Sequence, residues 1–183
     1  RQHQEVRIDS SDPANVPGEI LTKGPNVLLG YYKNPEATQA AIDAEGWFHT
    51  GDLGTMDSEG FVYFRGRAKR MIVSSGYNVY PGQIENILDA NEMVQMSCVI
   101  GIPDAYRMQK VKAFVKLAAG IPANDATRQA LMSYCSKHIA KYAMPCDIEF
   151  RDELPKTLVG KVAYRVLEEE EAERQAAEDA KNQ

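Results

Sequence analysis

Lys161 stands in the stretch PKTLVGKVAYRVL, directly after Gly160 and at the mouth of an expected helix. A turn of this kind holds an ammonium at one place, where it can meet a fixed anion. The stretch is not a P-loop. That motif needs a glycine five residues before Gly-Lys and a Ser or Thr after it, and Pro155 and Val162 occupy those places. The anion must therefore come from elsewhere, unless Lys161 is an ordinary surface lysine. Three further stretches carry candidate chemistry. In HTGDLG, Asp52 is expected on a turn between glycines. There a carboxylate can accept two hydrogen bonds from a vicinal diol, although Asp and Gly are also common in plain turns. In FRGRAKRM, Arg65, Arg67, Lys69 and Arg70 form a basic cluster. It is suited to phosphate, or it guards a solvated edge strand. In SSGYNVYP, Ser74, Ser75 and Gly76 allow a backbone to approach a ligand closely, or simply turn a hairpin.

Other catalytic sets are missing from the sequence. His3, His49 and His138 have no metal-ligand spacing, and His138 is expected as a core histidine on an apolar helix face. Cys98, Cys135 and Cys146 are odd in number and lack CxxC spacing, so neither a disulfide framework nor a zinc site is expected. No metal ligand is assigned. No Ser/His/Asp set or GxSxG appears.

These residues must be positioned by a chain of 183 residues, 44% hydrophobic and 26% charged, with net charge −5. That size allows one domain or two small ones. The negative balance argues against general nucleic-acid or anionic-membrane binding. No apolar run reaches a membrane span and no signal peptide is seen, so a cytoplasmic location is expected. The opening RQHQEVRIDS lacks an initiator methionine, and the chain is expected to be a piece of a longer protein.

The first third reads as strands and turns. Val6 to Ile8, Glu19 to Gly24 and Asn26 to Tyr32 are β-rich, and Asn34 caps a short helix with Pro35 at its first position. Residues 57–60 turn a hairpin between WFHTGDLGTM and FVYFRGR. The pattern then shifts. Two short strands flank Ser74 to Gly76, a helix follows Pro81, strands cover 94–104 and 110–117, a helix runs from about Asn124 to Lys141, and a strand covers Asp147 to Leu154. A last helix begins near Lys161, and its acidic EEEEAER end is expected to be solvated. The expected fold class is α+β. Residues 1–65 form a β-rich, β-barrel-like region and residues 66–183 a small α+β domain.

The series GEILTKGPNVLLGYYKNPEAT, GWFHTGDLG, GRAKRMIVSSGYNVYPGQIE and LPKTLVGKV closely resembles the successive C-terminal motifs of the adenylate-forming enzymes. It is most similar to an AMP-forming acyl-CoA synthetase of the fatty-acid–CoA ligase type. The resemblance covers about Gly18 to Leu167. It implies that residues 1–65 are the tail of a large N-terminal domain, otherwise missing here, and that residues 66–183 are a mobile lid. It implies ATP, CoA and a carboxylic acid as small-molecule ligands, with Mg²⁺ accompanying ATP and bound mainly by the missing domain. By the same resemblance Lys161 meets the acid and the α-phosphate during adenylation, and Asp52 and Arg67 contact the nucleotide. Lys69 is the hinge, and Ser74, Ser75 and Gly76 form the loop presented to the thioester step. This piece alone is expected to be inactive, and its exposed edges to promote self-association. An enzyme loading a carrier-protein thiol and a non-catalytic nucleotide-binding module are the alternatives; a nucleic-acid module built on FRGRAKR is a weaker one. Two positions depart from the family pattern. Many relatives have a Gly-Glu pair where Arg107-Met108-Gln109-Lys110 stands, and many have Asp where Lys69 stands.

Overall fold

The structure is a computed structural model that describes residues 4–181, so His3 lies outside the described residues. The chain divides into two compact units, Arg1–Lys69 and Arg70–Gln183.

The first unit contains β1 (Glu5–Asp9), β2 (Gly18–Lys23), α1 (Pro35–Ala41), β3 (Phe48–Met56) and β4 (Val62–Arg67). The strands form one antiparallel sheet in the order β1-β2-β3-β4. The sheet is open among the described residues, with β1 and β4 outermost, and no closed barrel forms. Ile8 and Leu21 are its buried apolar residues. Asn34 caps α1 as its sequence indicates, its Oδ1 accepting the Ala37 N–H at 3.0 Å. Asp57 shapes the β3–β4 hairpin by accepting the N–H groups of Glu59 and Phe61 at 3.0 and 2.9 Å. Residues 26–32, expected to be β-rich, instead form a loop with Leu29 and Tyr32 exposed. Both edges of β2, the strand just before this segment, are already taken by β1 and β3, and the segment pairs with neither outer strand.

The second unit follows a single 3₁₀ turn, Ala68–Arg70. It contains β5 (Ile72–Ser74), β6 (Tyr77–Val79), α2 (Pro81–Asp89), β7 (Val94–Asp104), β8 (Met108–Leu117), α3 (Asp125–His138), β9 (Asp147–Phe150) and α4 (Tyr164–Lys181). Its sheet runs β6-β5-β8-β7, with β9 parallel to β8 and all other pairs antiparallel. Alternation along β7 and β8 divides the core between two faces. Val99, Val111, Ala113 and Val115 pack with Ile84 and Leu88 of α2 and Leu131 and Cys135 of α3. Cys98, Ile100 and Phe114 pack with Leu154 and with Leu167 of α4. Leu88, Leu131 and Leu167 are fully buried, and each contributes about 1.5–3 kcal/mol by leaving water.

Two expectations are corrected here. His138 is exposed, not in the core, and its ring lies 4.5 Å from that of Tyr134. The buried stripe of α3 is Thr127, Leu131 and Cys135; His138 lies about 60° around the helix from Cys135, at its last turn. The acidic end of α4 is not wholly solvated either. Glu171 is buried and, with Glu149, forms an ion pair with the Lys112 ammonium, each at 2.8 Å. Arg174 joins both carboxylates at 2.8 and 2.9 Å. A buried lysine requires such partners, and they recruit the fourth glutamate of the run into the core.

Candidate functional site

Asp52 lies in a bulge of β3, not on a turn. Glu19 faces Leu53 and Leu21 faces His49, so two steps along β2 span four along β3. The extra residues are absorbed around Thr50, Gly51 and Asp52. Gly51 takes φ +72°, a conformation that favours glycine. The Glu19 carboxylate accepts the Gly51 N–H through Oε1 at 2.8 Å, and its Oε2 lies 2.8 Å from His49 Nδ1. Thr50 Oγ1 donates to the Ile20 carbonyl at 2.7 Å and accepts the Asp52 N–H at 3.1 Å. Bulges re-aim side chains in this way.

Arg67 is the cross-strand neighbour of Asp52. Its Nε lies 3.0 Å from Asp52 Oδ1, and its Nη1 donates to the Thr50 carbonyl at 3.1 Å. Asp52 Oδ1 is buried and receives no well-directed hydrogen bond, whereas the Arg67 side chain is 60% exposed. The pair thus joins a carboxylate with spare acceptor capacity to a guanidinium open to solvent. Arg65, the other arginine of this strand, reaches Thr55 Oγ1 at 3.4 Å.

Lys69 is exposed at the middle of the 3₁₀ turn. The next residue is tightly held. Arg70 binds both oxygens of Glu85 at 3.2 and 2.5 Å and donates to the Val99 carbonyl at 3.2 Å. Its guanidinium also stacks 4.8 Å over the Tyr164 ring. The basic cluster of the sequence therefore separates into residues with distinct partners.

Ser74, Ser75 and Gly76 have unlike environments. Ser74 is buried and pairs with Met108, while Ser75 and Gly76 form the exposed tip of the β5–β6 hairpin. Their φ values of +53° and +81° are those of a two-residue primed turn. Gln109 supports this hairpin, its Oε1 accepting the Val73 N–H at 2.9 Å. At the same departure from the family pattern, Met108 holds φ +65°, which is costly for a side chain other than glycine.

Lys161 lies three residues before α4, on a hairpin of its own and not at the helix mouth. Lys156 and Val162 form its bridge. The Thr157 N–H donates to the Lys161 carbonyl at 2.7 Å, and Thr157 Oγ1 accepts the Lys161 N–H at 3.2 Å. Gly160 turns the tip with φ +80°. The Lys161 side chain is exposed, and no carboxylate pairs with it among the described residues. No group of three His, Cys, Asp or Glu side chains among the described residues could hold a metal ion, and no described helix is long and apolar enough to cross a membrane. Sequence reading missed Glu19, His49, Glu85 and Tyr164, because each acts through a contact distant in sequence.

Residues 83–161 match the AMP-binding enzyme C-terminal domain. With that match and the relatives below, the chain belongs to the adenylate-forming enzymes and carries their C-terminal domain. It is 47% identical over 156 residues to a long-chain-fatty-acid–CoA ligase of Bacillus subtilis strain 168, a match covering 85% of the chain and 27% of that protein. It is 41% identical over 166 residues to a methyl-dioxo-octahydroindenyl-propanoyl:CoA ligase of Rhodococcus jostii strain RHA1, covering 91% of the chain and 30% of that protein. Among solved structures, o-succinylbenzoate CoA synthetase of Bacillus subtilis in complex with the acyl-adenylate OSB-AMP aligns with TM-score 0.81 and 32% identity. That match covers 90% of the chain and 33% of the synthetase. The chain therefore spans less than a third of the length of the two curated relatives.

Proposed function

We propose that this chain is the C-terminal part of an ATP-dependent, AMP-forming fatty-acid–CoA ligase. In the first half-reaction the acid and ATP give acyl-AMP and pyrophosphate. In the second, the CoA thiol displaces AMP and forms the thioester. The observation that carries the reading is the Lys161 ammonium, exposed on a glycine-tipped hairpin with no carboxylate partner among the described residues. Adenylation brings a carboxylate against a polyanionic triphosphate, and a cation at a fixed point offsets their repulsion. At ~4 Å and an effective dielectric of ~20, one such pair contributes about 4 kcal/mol.

Asp52, with spare acceptor capacity in its bulge, accepts the ribose hydroxyls, and Arg67 contacts the nucleotide. Lys69 is the hinge of the small domain, which includes residues 70–183. The tip at Ser75 and Gly76 meets the pantetheine arm of CoA, while buried Ser74 fixes the strand behind it. Mg²⁺ enters with ATP and is held outside these residues. The activities for which the relatives are named favour a fatty or similarly apolar acid, and the acyl pocket lies in the rest of the enzyme.

The test is acid-dependent ATP–pyrophosphate exchange by the full-length enzyme across acids of rising chain length. Exchange with one chain-length class, followed by acyl-CoA formation on adding CoA, is the expected result. If no acid supports exchange, the ligase reading fails. If exchange occurs but only a carrier-protein thiol accepts the acyl group, the second half-reaction must be reassigned.

A further inference from the structure

We infer that Glu19 is a positioning residue for Asp52, and that its carboxylate sets the affinity of the site for the nucleotide. The inference rests on the reading of Asp52 as a ribose ligand. It arises from a mismatch in the sheet: β3 carries extra residues opposite Glu19 to Leu21. Such a bulge leaves N–H groups without ladder partners, and each must be satisfied in another way. Glu19 satisfies one of them. Its Oε1 accepts the N–H of Gly51, the residue immediately before Asp52 and the one with positive φ.

The other oxygen is held too. Oε2 lies 2.8 Å from His49 Nδ1, and His49 Nε2 lies 3.8 Å from Asp43 Oδ2. Asp43 in turn accepts the N–H groups of Glu45 and Trp47 at 2.9 Å each, and Arg7 stands 3.9 Å from it and 4.3 Å over the Trp47 ring. Glu19 is thus the inner end of a chain of side chains that reaches from the loop before β3 to the backbone N–H of Gly51, one residue before Asp52. A charge-assisted bond to the Gly51 N–H fixes the Thr50–Gly51 peptide, and Thr50 Oγ1 in turn holds the Asp52 N–H, so the backbone that aims the Asp52 carboxylate is set from both. Glu19 does not touch the nucleotide in this account; it acts through Gly51.

The test uses the full-length enzyme with Glu19→Ala, Glu19→Gln and Asp52→Ala. Glu19→Gln retains an oxygen for the Gly51 N–H and guards against an alanine variant that fails to fold. The account predicts that Glu19→Ala raises the KM for ATP about tenfold or more, leaves the KM for the acid within about twofold, and speeds hydrogen exchange at the Gly51 amide while β4 amides stay protected. Glu19→Gln should restore most of the ATP affinity. Two outcomes overturn the inference. One is an unchanged KM for ATP in Glu19→Ala; the other is a parallel rise in both KM values with loss of β4 protection, which marks a general structural role. Asp52→Ala separates the two readings. If it leaves the KM for ATP unchanged, the ribose assignment itself falls. If it raises that KM and Glu19→Ala does not, only the positioning role falls.

Discussion

Two lysines in the second unit occupy opposite environments. Lys112 is 5% exposed and lies between Glu149 and Glu171 beneath α4. Lys161 is exposed on the Thr157–Gly160 hairpin and has no carboxylate beside it among the described residues. The same ammonium is neutralised in one place and left available in the other. A buried cation without partners would be too costly to keep, so Lys112 is fully committed to holding α4 on the sheet. A cation intended for a substrate must not be satisfied by its own protein. The difference separates a structural lysine from a candidate catalytic one more clearly than sequence position does.

The comparison breaks first at Lys112. Lys112→Ala leaves Glu149 and Glu171 with reduced compensation, and a loss of about 3–5 kcal/mol in unfolding free energy is expected by chemical denaturation. Lys161→Ala should leave the same unfolding curve within about 0.5 kcal/mol, as for other surface substitutions. Equal losses from both would erase the distinction.

Acid sharpens the contrast. Burial pushes the Glu149 carboxyl up, but hydrogen bonds from Arg174, Lys112 and Arg151 outweigh it and hold its pKa down to about 2, against an ordinary value of 4.5. A carboxylate with a depressed folded pKa contributes fully above its unfolded value and loses that contribution as pH falls through the folded one. Stability measured by circular dichroism should therefore fall between about pH 4.5 and pH 2. The fall should be smaller in Glu149→Gln. An identical acid profile in that variant would remove the network as its cause.

The smallest expected effect is local. Gly160 turns the Lys161 hairpin at φ +80°, and an added Cβ would meet nothing within 4 Å. Gly160→Ala therefore adds backbone strain without a clash, about 1–2 kcal/mol. The free energy of global unfolding should fall by no more than that amount, while adenylation should slow several-fold. Unchanged adenylation would mean that the hairpin does not fix the ammonium.

Much of this frame was legible in the sequence because its signals are local. Asn34 and Asn124 cap helices where their spacing indicates, the Asp57 turn joins β3 to β4, and Ser75-Gly76 turns a hairpin with positive φ at both positions. What escaped depends on residues distant in the chain. The HTGD segment reads as a turn, yet it is a bulge in β3 where Glu19, 32 residues before Gly51, accepts the Gly51 N–H. The run of four glutamates reads as solvent-facing, yet Lys112 draws Glu171 inward. His138 follows an apolar pattern, but it lies about 60° around α3 from Cys135, at the last turn, and is exposed. Residues 26–32 are rich in strand-forming side chains, but they pair with no strand of the sheet, and both edges of neighbouring β2 are taken. Local propensity yields to pairing in each case.

The most direct test of the central claim splits the two half-reactions in the full-length enzyme. Lys161→Ala and wild type would be compared in acid-dependent ATP–pyrophosphate exchange, and separately in acyl-CoA formation from preformed acyl-adenylate. The account predicts that exchange falls by about 10²–10³-fold while thioester formation from the adenylate stays near wild type. Exchange at the wild-type rate, or an equal loss in both half-reactions, would contradict it.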